Sequence, residues 1–316
     1  MQSWGTDTPY LSAIARTSAF SRIAPCAIGD FLATRRAKIT PEQAGLPDFG
    51  NGKRRVPGLR REEVALLAGV SIDYYVRLER GRLAGASEEV LDALCRALQL
   101  DDAERSHLHD LAAAQRQRPA RRTPRRAKDA VPASLKRVLE SMTGSPAFIR
   151  NGRLDILAVN DLGRALYAPL FTATAPTPVN IARFQFLDPA GRGFFPDWNT
   201  SVNTTVSLLR TEAGRAPGDT GLTGLIGELV TRSDEFRAAW AKHDVRLHRT
   251  GRKAFGHSAV GEIALDFDAM ELPAHPGLTL TAYSAEPGTP DHDALMLLAS
   301  WAATGSGGAH QEASRP

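Results

Sequence analysis

Apolar positions along the first third of the chain recur with helical spacing. Ile28 to Lys38 makes one short amphipathic segment and Arg61 to Ala68 another. Val70 and Ser71 lead into a third, Ile72 to Arg80, which stops at Gly81. Ser87 caps a fourth, in which Val90, Leu91, Leu94, Ala97 and Leu98 share a face. A fifth begins near Asp101, with acids in its first turn, and buries Leu108 and Leu111. Between the first and second lies Leu46 to Gly58, LPDFGNGKRRVPG, where glycine, proline and asparagine forbid a continuous helix. Five short helices predict a compact all-α domain.

The pattern changes after residue 132. Leu154 to Val159 is strand-like and ends in Asn160, which opens a helix through Ala165. Ile263, Leu265 and Phe267 alternate with acids, and Leu278, Leu280 and Ala282 alternate with threonines. These two runs, joined by MELPAHPG, are expected as antiparallel neighbours. Helical spacing fills the middle: Val202, Val206 and Leu209; Leu222, Leu225, Ile226, Leu229 and Val230; Phe236, Ala239, Trp240 and His243. The second domain is therefore expected as α+β, an antiparallel sheet covered by helices on one side.

Length and charge agree with this division. At 316 residues, 42% apolar and 23% charged, the chain has the size of about two globular domains. Residues 1–130 hold 22 Lys/Arg against 16 Asp/Glu, and residues 131–316 hold 17 against 19. That asymmetry places polyanion binding in the first part. The seam is QRQRPARRTPRRAKDAVP, with seven bases, one acid and three prolines, which stays extended as a linker or helps neutralise phosphates. The predicted organisation is a flexible leader over 1–27, of transit-peptide-like composition, an all-α domain over 28–114, the basic linker over 115–132, an α+β domain over 133–302 and a flexible tail over 303–316.

Several functions are disfavoured. Cys26 and Cys95 are too few for a disulfide framework, and no CxxC or Cys/His cluster offers a zinc site, so no metal and no cofactor are called for. The longest weakly polar stretch, Ala294 to Ala303, is half of what a bilayer needs. His243, Asp244, His248, His257 and Ser258 suggest a hydrolase, but GHSAVG is not a nucleophile elbow, and His243 and His248 are five apart. No catalytic residue is assigned, and the chain reads as a cytoplasmic non-enzyme.

The strongest chemical signal is RREEVALLAGVSIDYYVRLERGR, residues 60–82. It reads as a helix, a turn at Gly69 and a second helix capped by Ser71, with the small Ala65 allowing close approach. Val64, Leu67, Val70, Tyr75 and Leu78 form the shared core, which leaves Ile72, Asp73, Tyr74 and Arg77 on the outward face that enters the major groove. Arg77 has the fork for guanine O6 and N7, while Asp73 either accepts from cytosine N4 or holds Arg77 at i,i+4. Arg82 is counted with the DNA-binding set; like Arg54, Arg55, Arg60 and Arg80, it is open to both a phosphate contact and plain solvation.

This stretch resembles the xenobiotic-response-element type of phage-repressor helix-turn-helix, with Leu78, Glu79, Arg80 and Gly81 as its Leu-Glu-x-Gly ending. The resemblance implies that Arg61, Ser71 and Tyr74 contact the DNA backbone and that Ile72, Asp73 and Arg77 face bases. Further on, NGRLDILAVNDLGRALY, FQFLDP, FPDW, SLLRTEAGRAP, GELVTRSDEFRAAWAKHDV, VGEIALDF and LTLTAYSAEPGTP resemble, in order, the MmyB-like transcription regulators. That implies a multidomain protein, an all-α phage-repressor-like domain followed by an α+β PAS-like domain that senses a small apolar ligand such as a fatty acid. It also implies a homodimer on a double-stranded operator. The alternative is a second domain that serves only dimerisation or protein interaction. Candidate ligand contacts are Phe148, Asn160, Phe184, Phe186, Trp198, Trp240, His243 and Phe255, each open also to a plain core or capping role.

Overall fold

The computed structural model describes residues 27–46, 56–83, 85–116, 130–172, 175–242 and 249–312, the last nine as backbone only. The leader up to residue 26, the interior of the basic linker and His243 lie outside the described residues. The chain divides into two compact units that part near residue 118.

The first unit is all-α, as its periodicity predicts: α1 (Ala27–Lys38), α2 (Arg61–Leu67), α3 (Ile72–Glu79), α4 (Glu88–Ala97) and α5 (Asp102–Arg116). Its core contains Phe31, Leu32, Leu59, Val64, Tyr75, Leu78, Leu91, Leu94 and Leu108. Leu67 and Val70, placed in the core from the sequence, are half-buried. The Ser71 and Ser87 hydroxyls accept from the amides of Tyr74 and Val90, capping α3 and α4 as expected. Gly69 and Gly81 both have positive φ, +65° and +81°, so the turn and the stop are placed where only glycine is unstrained. Gln115 and Arg116, assigned to the linker from the sequence, belong instead to α5. There the Gln115 amide accepts from the Leu83 N–H at 2.9 Å and donates to the Gly81 carbonyl at 2.8 Å.

The second unit opens with α6 (Ala133–Ser141), followed by β1 (Ala147–Asn151), β2 (Ile156–Val159) and α7 (Asp161–Leu166). Its middle is helical: α8 (Ile181–Leu187), α9 (Gly191–Phe194), α10 (Trp198–Arg215), α11 (Thr220–Arg232) and α12 (Asp234–Ala241). It closes with β3 (Thr250–His257), β4 (Gly261–Glu271), β5 (Leu278–Ser284) and α13 (Pro290–Glu312). The five strands form one antiparallel sheet in the order β2-β1-β5-β4-β3. β4 and β5 are neighbours, as their alternation predicts.

Three expectations are corrected. The strand begins at Ile156 and not at Leu154, which has φ +66° in a turn where the Asn151 side chain accepts from the amides of Arg153 and Asp155, both at 3.0 Å. The sheet is covered on its second face as well, over β1, β2 and β5. Its major face carries Phe148, Phe255, Ile263, Leu265, Phe267 and Tyr283, and on the other face α6 supplies Leu139 against Ala147, Ile149 and Leu278. The helix at the C-terminal end runs on to Glu312, past the predicted start of the tail; after Pro290 no proline occurs to interrupt it until Pro316.

Candidate functional site

The α3 residues expected to face DNA lie on its exposed side, apart from the half-buried Tyr74. Ile72 is 51% exposed, and Ser71, Asp73 and Arg77 are exposed while Tyr75 and Leu78 on the opposite side are fully buried. Arg77 does not pair with Asp73; its guanidinium lies over the Tyr74 ring, 5.2 Å from the centroid. Held there, it projects from the outward face with its donors free to reach base edges. Arg82 is exposed just past the Gly81 stop.

Arg61 has a second role that its exposure conceals. Its Nε donates to Glu79 Oε2 at 2.5 Å, and Arg36 Nε donates to the other oxygen at 2.6 Å. The Glu79 side chain is 4% exposed, so this carboxylate is a buried node joining α1, α2 and α3. Burial pushes the Glu79 carboxyl up, but the hydrogen bonds from Arg61 and Arg36 outweigh it and hold the group below its usual range. The Glu of the Leu-Glu-x-Gly ending therefore fixes the angle between the motif helices. Arg61 remains about half exposed, and among the described residues only its Nε is engaged.

In the second unit, aromatic rings gather on the major face of the sheet. Tyr167, which follows α7, is 5.4 Å from both Phe148 and Phe255 and 5.6 Å from Phe194. Phe184 meets Phe194 at 5.6 Å, and Tyr283 meets Phe255 at 5.4 Å. Of the candidates, Phe148, Phe184 and Phe255 lie in this cluster. Phe186, Trp198 and Trp240 form a separate half-buried group through Phe236, with Arg192 over Trp198 and Arg210 over Trp240. Asn160 is the α7 cap: its oxygen accepts from Gly163 and Ala147, and its amide donates to Met142 and Ser145. All four of its hydrogen-bonding capacities are taken, which favours capping over ligand contact.

Two cations within the aromatic group carry no signal of their own in the motifs. Arg150 is buried on β1, and the Lys253 ammonium on β3 lies 4.5 Å from the Phe195 centroid and 5.4 Å from that of Phe255. Among the described residues neither forms an ion pair. Burial, aided by the Arg150 charge, pulls the Lys253 ammonium down to about 7; burial also lowers Arg150, partly opposed by Tyr283, Glu212 and Glu271. The Tyr167 and Tyr283 hydroxyls are 2.6 Å apart, and burial keeps both phenols neutral by raising them above their usual value. The signal that could have found the cations is period two: Arg150 is two residues from Phe148 and Lys253 two from Phe255, so both pairs share the buried face.

The hydrolase constellation is not assembled by His257. Its Nδ1 accepts from the Ala259 amide at 3.2 Å, so Nε2 carries the proton and donates to the Ala165 carbonyl at 3.0 Å. In the first unit, by contrast, folding groups Asp92, Cys95 and His109, three metal-ligating side chains whose sequence spacing shows no cluster.

A family model for the ligand-binding domain of MmyB-like transcription regulators matches residues 131–298, more than half of the chain. The chain belongs to the MmyB-like transcription regulators. A helix-turn-helix domain model matches residues 27–108. Comparison with curated proteins finds no match. The regulator thus joins a DNA-binding domain to a ligand-binding one, and among its described residues no helix is long and apolar enough to cross a membrane.

Proposed function

We propose that this regulator senses an amphiphile with an apolar tail and an anionic head, of the fatty-acid class, and acts in the cytoplasm as a homodimer on a pseudo-palindromic operator. The observation that carries the ligand reading is the pair Arg150, buried on β1, and Lys253, half-buried against the Phe195 ring, neither in an ion pair among the described residues. An uncompensated buried charge is costly, so such a site is stabilised by an anion brought from outside. Lys253 keeps partial accessibility beside the Phe195 and Phe255 rings, where a ligand's head could reach its ammonium. A carboxylate there would accept from Arg150, Lys253 and the Tyr167–Tyr283 hydroxyl pair, while Phe148, Phe184 and Phe194 receive the tail. No electron-transferring or group-transferring chemistry is implied.

For DNA, Ile72, Asp73 and Arg77 face bases, while Arg61, Ser71, Tyr74 and Arg82 lie on the phosphate side. Two α3 helices meet successive major grooves about one helical turn apart when the chain dimerises. A ligand acts on this complex only through different affinities for its DNA-competent and incompetent states. Native mass spectrometry of gently purified protein tests the reading, followed by displacement of a fluorescent fatty acid with free acids and their methyl esters. The reading predicts a copurifying acid and displacement by the acids alone. Equal displacement by acid and ester removes the role of the cations, and no binding of either makes the second unit a dimerisation module.

A further inference from the structure

The DNA-binding unit contains a group of donors that its regulatory reading does not use. Asp92 and Cys95 lie three residues apart on α4, on one face of the helix, and His109 reaches them from α5. Their oxygen, sulfur and ring nitrogen all lie within 4.8 Å of one another. His109 Nε2 is 3.4 Å from Asp92 Oδ1, close to the donor separation in a tetrahedral ion with bonds of about 2.0–2.3 Å. Its other nitrogen, Nδ1, is 2.8 Å from Glu88 Oε2, and Arg116 holds that carboxylate from the far side at 2.7 Å. The imidazole is thus oriented with Nε2 toward Asp92 and Cys95, as a carboxylate orients a metal-ligating histidine.

We propose that Asp92, Cys95 and His109 form a divalent transition-metal site, with zinc the ion that best fits its sulfur, nitrogen and oxygen donors, and that Glu88 is its outer orienting carboxylate. Three protein ligands leave a fourth position to water. A cysteine thiol without metal is mostly protonated at neutral pH. Binding at neutral pH therefore releases the thiol's proton: the thiol gives up its hydrogen to buffer, sulfur takes the zinc, and His109 presents its Nε2 lone pair and Asp92 its carboxylate. The Arg105 guanidinium, 3.8 Å from Asp92, is displaced as the carboxylate turns to the ion. The site staples α4 to α5 inside the DNA-binding unit, independently of any ligand in the second unit.

The test uses the full chain stripped with chelator and titrated with cobalt(II), then zinc(II). One equivalent of cobalt should give a thiolate-to-metal charge-transfer band that zinc abolishes, with about one proton released per zinc. Cys95→Ser should abolish the band, His109→Gln should weaken zinc binding at least tenfold, and Glu88→Gln should weaken it by about 10- to 100-fold. Zinc should raise the melting temperature of the parent more than that of His109→Gln at the same zinc concentration. Because His109 is partly exposed, that variant keeps the test valid if Cys95→Ser fails to fold. Absence of the band, or stoichiometry and affinity unchanged in His109→Gln, overturns the site and leaves His109 as a bridge between Glu88 and Asp92.

Discussion

Two sites of buried charge, one in each unit, are met in opposite ways. In the DNA-binding unit the enclosed Glu79 has two cations, Arg36 and Arg61, bonded to its two oxygens. In the ligand-binding unit the enclosed Arg150 and Lys253 stand together, with no carboxylate bonded to either among the described residues. A closed node belongs to a scaffold that holds one geometry, and it costs stability only when a partner is removed. An open pair of cations is what the proposed anionic ligand would compensate. Charge compensation therefore separates the Glu79 node, which holds a shape, from the Arg150 and Lys253 site, while Arg153 with Asp155 and Asp219 forms a closed network in the ligand-binding unit too.

The sharpest break in that contrast is Lys253→Met. Removing a buried partner of an anion costs about 2–5 kcal/mol of binding, so affinity for a long-chain acid should fall by about 30-fold or more in a displacement titration, while the methyl ester is unaffected. The free protein should meanwhile melt at a higher temperature at pH 7, because an enclosed ammonium has been exchanged for an apolar chain. The sign with pH follows. Lys253 titrates near 7 folded and at its ordinary 10.5 unfolded, so the unfolded chain binds more protons between these values and the stability of the free parent rises with pH across that window. Affinity for the acid runs the other way and falls above about pH 7, where the free protein has lost the ammonium that the carboxylate needs. A flat profile from about pH 6.5 to 9 would disconnect Lys253 from the ligand.

The closed node predicts a smaller effect of the opposite kind. Glu79→Gln leaves Arg36 and Arg61 facing a neutral group, which should cost about 1–3 kcal/mol of stability and appear as a lower denaturation midpoint. The Glu79 contribution is present above the unfolded carboxyl value of 4.5 and is lost as pH falls through the lower folded value. The parent should therefore be acid-sensitive in a way that Glu79→Gln is not. Arg77→Ala touches neither node. It should leave stability intact and cost about 1–3 kcal/mol of discrimination at one base pair, read by binding-site selection with parent and variant. An unchanged selected sequence would put base reading elsewhere on α3.

The helical unit was readable because its rules are local. Ser71, Gly69 and Gly81 fix their own caps and turns within three or four residues, and the α3 face follows from one period. The antiparallel pairing of β4 and β5 was readable for the same reason. What escaped depends on contacts between distant residues. Glu79 became a node only when α1 brought Arg36 across 43 residues, and Tyr167 found Tyr283 across 116. Arg150 and Lys253 lie on β1 and β3, strands that the sequence pattern did not single out, and period two sets them beside Phe148 and Phe255 only once those strands are known. Asp92, Cys95 and His109 combine two spacings that only the packing of α4 on α5 makes into one cluster.

The mildest test concerns charge that belongs to neither kind of site. The linker arginines Arg121, Arg122, Arg125 and Arg126 lie outside the described residues, between a basic stretch of sequence and one with a slight acidic excess. If they neutralise phosphates, each releases counterions, and the slope of log affinity against log salt becomes shallower by about 0.9 for every phosphate that is no longer neutralised. Replacing all four with glutamine should then lower operator and random-sequence affinity together and flatten both salt slopes equally, without altering the selected sequence. Arg77→Ala gives the complementary result, a changed sequence preference with nearly the parent slope. If the salt slopes of the four-fold variant match the parent's, the linker only spaces the two units, and the first domain's own surface supplies the electrostatic affinity.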